Sequence, residues 1–202
     1  MTEPLLPPQY HDFSDMCTLK EWRKKERPWS VIKGVTIHQT GCPMSESPSR
    51  WYSLKAHYGI TYSGKIFRIH PETSFGWHAE GQSHHNVGIE IAGFFCGVEG
   101  DIKTRPSAPA SWKVQSVTPE QIVAAKELIR YIARLLAHYG SALELIQPHR
   151  MATDSRRPDP GSKVWQEIAL PMLAELGADI GKATGKGMPI PEAWGGAAGV
   201  KY

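Results

Sequence analysis

Cysteine is scarce. Cys17, Cys42 and Cys96 make an odd number, with no framework spacing and no C-x₂-C pair. That excludes a disulfide scaffold and a thiolate zinc cluster, and fits synthesis in a reducing compartment. Long apolar runs are missing as well: none approaches the roughly 20 residues that a membrane-spanning helix needs. The opening stretch MTEPLLPPQYHDF has an acid and prolines but no basic segment ahead of an apolar one, so it does not read as a secretory leader. An excess of charge of one sign is nearly absent too. A net charge of +3 with no basic stripe is far from the footprint of a nucleic-acid binder. The expectation is a chain made in the cytoplasm without a leader, with no membrane span and no nucleic-acid partner.

What remains is an ordinary globular composition. At 41% hydrophobic over 202 residues, the chain can bury one real core. VIKGVTIHQT (31–40) alternates and is β-branched, which predicts a strand ending near His38. SLKAHYGITYSGKIFRIHP predicts a hairpin turning at residues 62–65. NVGIEIAGFF (86–95) reads as a buried strand, and 96–116 as a loop of low order. Thr118 opens the clearest helix: a capping Thr, Pro119 in the first turn and Gln121 in the box position, then apolar residues at 122, 125, 129, 132 and 136 until Gly140. SALELIQPH carries a short strand that delivers His149. A last helix follows DPGS, with Pro171 as a kink or break. Residues 1–30 read as an irregular arm with a short helix over DMCTLKEWRKK, 31–176 as the catalytic unit, and 177–202 as a surface tail. Strands alternating with helices predict an α/β fold: one domain with a central mixed sheet flanked by helices.

Nine histidines are many for this length, yet a lone histidine is ordinarily a surface or satisfied core residue. Position separates two of them. His38 and His149 each fall at the end of a predicted strand, and Asp159 sits in a proline-flanked loop ten residues after His149, just before the last helix. Strand ends and the loops that follow them are where α/β sheets present chemistry. Two imidazoles and a carboxylate from three segments are the usual equipment of a catalytic zinc, which keeps a fourth position open. A metal would then be what orders PHRMATDSRRPDPG, by tying His149 and Asp159 to the strand carrying His38, with Pro158 and Pro160 lowering the entropy cost. The H-x₉-D spacing alone is not specific.

VTIHQT, AHYGITYSGKIFRI, GWHA, NVGIEIAG and PHR…RPDPG occur in that order. Together they resemble the zinc-dependent N-acetylmuramoyl-L-alanine amidases of the amidase-2 or peptidoglycan-recognition type, over residues 31–176. The resemblance implies one Zn²⁺ held by His38, His149 and Asp159, and hydrolysis of the amide between the lactyl group of N-acetylmuramic acid and L-alanine. It implies Glu90 as the acid acting on the water, and Trp77, His78 and Asn86 as groove residues. Two positions depart from the pattern. Arg157 stands where many relatives have a lysine that steadies the oxyanion, with Arg156 as the adjacent candidate; Ala56 stands where others have a tyrosine.

Plainer roles compete with these. Glu90 fits a strand-end acid paired to a lysine, Arg157 an ion-pair partner of Asp154, Trp77 core packing, His57 a structural role, His84 and His85 solvation, and Cys42 and Cys96 small buried apolar groups. The leading expectation is a zinc hydrolase of peptidoglycan or muropeptides, serving as lysin, recycling or remodelling enzyme, or antibacterial effector. Its site of action would be the bacterial wall or periplasm, or the cytoplasm for recycling. The alternatives are a non-catalytic peptidoglycan-binding module of the same fold, or a structural zinc closed by His57 or Cys42.

Overall fold

The computed structural model describes residues 4–19, 25–109 and 111–202. Six strands form one mixed sheet: β1 (Tyr10–Asp12), β2 (Gly34–Gln39), β3 (Tyr58–Ile60), β4 (Ile66–Arg68), β5 (Asn86–Ile91) and β6 (Leu145–Pro148), in the spatial order β1-β4-β3-β5-β2-β6. Only β3 and β4 pair antiparallel, as the hairpin predicts; β2 runs parallel to both β5 and β6. β1 was not legible in the sequence. It is three residues long at a sheet edge, too short to show alternation. The helix expected over DMCTLKEWRKK lies partly outside the described residues, at 20–24; the described residues at its start hold only one 3₁₀ turn, Ser14–Met16.

Alternation sorts the central strands into two faces. Val35, Ile37, Val87, Ile89 and Ile91 join the main core with Ala125, Leu128, Ile129, Ile132 and Leu136 of α1 (Pro119–His138). The opposite face carries Thr36, His38, Asn86, Gly88 and Glu90. The parallel register sets Thr36 level with Gly88 and Gln147, and His38 level with Glu90. Most of this polar face is buried as well, beneath the loop that carries His78, Gln82 and Ser83.

The last helix is composite. α2 (Ser162–Val164) runs through a π turn, Trp165–Ala169, into α3 (Leu170–Leu176). Pro171 has no N–H for the carbonyl one turn back, and the widened turn just before it absorbs the break. The segment after Gly177 is not merely a surface tail. Ile146 donates to the carbonyl of Asp179 (3.0 Å), Thr153 bridges Lys186, and Ile190 and Trp194 are buried in the main core.

α1 opens with a complete capping box. Thr118 Oγ1 accepts from the Gln121 amide (3.1 Å), and Gln121 Oε1 accepts from the Thr118 amide (3.0 Å). The same two side chains tie the helix to the sheet: Thr118 Oγ1 donates to the Tyr62 carbonyl and Gln121 Nε2 to that of Ala92. Thr118→Ala should therefore cost about 1–2 kcal/mol, the upper part of the range for a lost cap. The urea midpoint should fall with an unchanged m value.

Candidate metal centre

β2 delivers His38, and β6 delivers His149 one residue past its end. Asp159 reaches the same point from the loop before α2. One ligand atom from each of the three buried residues lies within 4.8 Å of the other two. His38 Nδ1 stands 2.8 Å from His149 Nδ1, which is 3.0 Å from Asp159 Oδ2. The second carboxylate oxygen, Oδ1, accepts from the Gln39 amide at 2.8 Å, which fixes the orientation of the group.

The hydrogen bonds around His38 assign its tautomer. His78 Nε2 lies 3.2 Å from the Asn86 carbonyl, which can only accept. His78 Nδ1 is then left as an acceptor, and it sits 3.0 Å from His38 Nε2. His38 donates there, so its Nδ1 lone pair faces His149. Either a proton on His149 Nδ1 or a cation must lie between these atoms. Burial, reinforced by His149 and His78, holds His38 well below the ordinary histidine range, and burial pushes His78 down to about 3. Neutral imidazole is the form a metal requires. Two nitrogens and a carboxylate oxygen suit zinc, with room for a fourth ligand on the cleft side. Among the described residues no fourth protein donor joins the cluster. His57 is engaged elsewhere: its Nδ1 accepts from the Gly88 amide at 2.9 Å, and its Nε2 faces the Ser74 carbonyl.

Glu90 stands beside His38 on the next strand. It keeps part of its surface toward the cleft, yet its Oε2 is buried with no hydrogen-bond partner among the described residues. Burial raises its carboxyl well above the ordinary range; the charge of Asp159 adds to the rise and Arg156 opposes it. Among the described residues no lysine pairs with it. Above these groups opens a cleft of about 380 Å³, walled by Thr40, Leu54, Lys55, Trp77, Glu80 and Arg156. Past Arg156 a second hollow of about 260 Å³ continues along Gly41, Pro106 and Ser107.

The other expected site residues fall in different places. Trp77 is 54% exposed at the cleft mouth, edge-on to Phe75 and His84. His78 lines the cleft and also holds His38. Asn86 is fully buried beneath the site; its Nδ2 donates to Thr36 Oγ1 and Gln147 Oε1, and it is not among the residues lining the cleft. Arg157 carries its guanidinium 4.8 Å over the ring of Tyr202, whereas Arg156 lines both hollows. Residues 154–156 form a 3₁₀ turn, so successive side chains point in different directions. Sequence reasoning passed over Arg27. It is buried with no acidic partner among the described residues, donates to the carbonyls of Ser83, Asn86 and Glu72, and is pushed down by burial to about 10.

The family model for N-acetylmuramoyl-L-alanine amidase, Amidase_2, matches residues 28–162. The chain belongs to the Amidase_2 family. No curated protein matches it. Among solved structures, it is similar to the endolysin N-acetylmuramoyl-L-alanine amidase LysCS from Clostridium intestinale (19% identity, 85% of this chain and 97% of that one, TM-score 0.57). It is also similar to bumblebee PGRP-SA (16% identity, 78% and 91%, TM-score 0.51). A Drosophila PGRP-LB mutant in complex with tracheal cytotoxin is a third likeness (19% identity, 82% and 94%, TM-score 0.50). At these identities the likeness concerns the fold: the Amidase_2 chain has the central mixed sheet with helices that the sequence predicts, with six strands among the described residues. No helix among its described residues is long and apolar enough to cross a membrane.

If the three converging atoms hold a divalent ion, Zn²⁺ at a hundredfold excess over its dissociation constant should stabilise the Amidase_2 chain by about 2.7 kcal/mol. Thermal melts should show the rise for the parent and not for His38→Ala. An equal rise in both would mean the ion binds elsewhere.

Proposed function

We propose that the protein is a zinc-dependent N-acetylmuramoyl-L-alanine amidase that cuts the amide between the lactyl group of N-acetylmuramic acid and L-alanine in peptidoglycan or muropeptides. The observation that carries this reading is the convergence of buried His38 with His149 and Asp159, which line an open cleft together with Glu90, whose second carboxylate oxygen has no partner among the described residues. Family membership supports it. Zinc held by these three residues would lower the pKa of a water toward about 7 and polarise the amide carbonyl.

The chain's own groups supply the rest. Glu90 accepts the proton of the attacking water and returns it to the leaving amine nitrogen; burial makes it a stronger base than a solvated glutamate. Arg156, the cation lining both hollows, is placed to donate to the carbonyl oxygen as charge builds there. Arg157 lies on Tyr202 in this structure, so the oxyanion role moves one residue along the loop. Trp77 and Lys55 offer an aromatic edge and a cation to sugar and peptide at the rim. Such an enzyme would act where peptidoglycan is, at the bacterial wall.

The deciding assay incubates the protein with a muramyl peptide, with and without a chelator, and follows release of the L-alanine amino terminus. Loss of release with chelator and recovery with Zn²⁺ are expected. Binding without release would instead make the chain a recognition module.

Two substitutions test the assignments. Glu90→Gln should keep its metal and lose about 10²–10⁴ in turnover. Arg156→Ala should lose about 10²–10³ in kcat, and more than Arg157→Ala; the reverse order would return the role to Arg157.

A further inference from the structure

Arg150 follows ligand His149 directly and is fully buried. Among the described residues it has no acidic partner, and its Nε and Nη2 make no hydrogen bond. Its charge is met by aromatic faces instead: the guanidinium carbon lies 4.8 Å from the ring centroid of Trp194 and 5.2 Å from that of Tyr202. Both rings come from the C-terminal segment, beyond the family-matched residues 28–162.

The rest of Arg150 closes the ligand loop on itself. Its amide donates to the Asp159 carbonyl (3.0 Å), and its Nη1 donates to the Arg157 carbonyl (2.9 Å). Its own carbonyl accepts from the amide of Met188 (2.9 Å), in the C-terminal segment. One residue thus ties the two loop ligands together through the backbone and ties their loop to the C-terminal segment through its charge. The rings are anchored in turn: Trp194 Nε1 donates to the Gly97 carbonyl, and Tyr202 Oη donates to that of Thr104 at 3.3 Å. Tyr202 packs so closely on Gly97 that a Cβ there would lie 1.8 Å from its hydroxyl.

We propose that Arg150 is a positioning residue for the metal centre, and that Trp194 and Tyr202 form an aromatic clasp on its guanidinium which holds His149 and Asp159 at ligand spacing before any ion arrives. A guanidinium buried between aromatic faces is strongly held because water no longer competes for it. Lysine is a poor substitute, since an ammonium cannot both lie flat on the rings and reach the Arg157 carbonyl. The inference rests on reading His38, His149 and Asp159 as a metal site.

The test measures Zn²⁺ affinity of the metal-free full chain by competition with a chromogenic chelator, beside the melting temperature of the same metal-free proteins. Groups that orient metal ligands are typically worth about 10–100-fold in affinity. Arg150→Lys, Tyr202→Ala and Gly97→Ala should each weaken Zn²⁺ by an amount in that range, while Tyr202→Phe, which keeps the ring, should bind like the parent. Tyr202→Ala is the decisive variant, because Tyr202 is only partly buried and its loss should leave the metal-free melting temperature close to that of the parent. Parent-like affinity in Tyr202→Ala and Arg150→Lys would overturn the proposal, as would losses that merely follow a fall in melting temperature or that Tyr202→Phe shares. If the parent itself binds no Zn²⁺, the metal-site reading fails instead.

Discussion

Parallel pairing of β2 with β5 and β6 is the constraint on which the site depends. It brings Glu90 level with His38, and β6 ends where His149 meets the same ring. Side chains alternate along a strand, so a slip of one residue in β2 would send His38 into the core under α1 and bring Ile37 onto the polar face. Such a slip would also bury Thr36 against α1, away from Gln82 and Asn86, to which it is bonded. The apolar face and the polar network thus specify the same register for separate reasons, and the position of the chemistry follows from both.

Burying that much polarity is tolerable only because nearly every group is answered. The histidines form a contiguous set: His149 meets His38, His38 meets His78, and the His78 ring lies 5.5 Å from that of His57. Burial keeps His38, His57 and His78 neutral, so the set can pack without accumulating charge. Gly88 makes this packing sterically feasible, since a Cβ there would lie 2.8 Å from the His78 ring. Among the described residues two buried oxygens of this face have no partner, Asn86 Oδ1 and Glu90 Oε2, and Glu90 is the one level with His38. An unsatisfied carboxylate oxygen costs stability wherever it is buried.

Much of this was readable in the sequence, and the unread parts share a cause. The central strands, the hairpin, the capping box of α1 and the convergence of His38, His149 and Asp159 follow from local signals: alternation, turn residues, a Thr-Pro-x-Gln start and ligand-type side chains at strand ends. β1 escaped because three edge residues carry no pattern, and the π turn because Pro171 reports a break without its form. Arg156 and Arg157 are chemically identical neighbours, so only the turn at 154–156 could tell which enters the cleft. Arg27 and Arg150 were invisible because arginine is ordinarily a surface residue. The available hint for Arg150 was indirect: a tryptophan and a terminal tyrosine in an otherwise Gly-, Pro- and Ala-rich tail had to pack against something.

The position of that something follows from the cost of the ligand loop. Ordering the backbone costs roughly 1–2 kcal/mol per residue, and residues 154–157 in the middle of the loop are exposed. The sheet secures only the ends, through β6 before His149 and through the Gln39 amide on Asp159. The C-terminal segment supplies the contacts the sheet cannot reach: Thr184 on the Met151 carbonyl, Met188 on that of Arg150, and two rings on the Arg150 guanidinium. Arg27 does the same on the other flank from just ahead of the family-matched segment, fixing the carbonyls that carry His78's neighbours. The matched segment therefore contains His38, His149 and Asp159, while groups at its borders and beyond contact the loops around them. An aromatic clasp suits that task because it stabilises a buried cation without placing another carboxylate near Asp159 and Glu90, where it would compete for any ion or proton there.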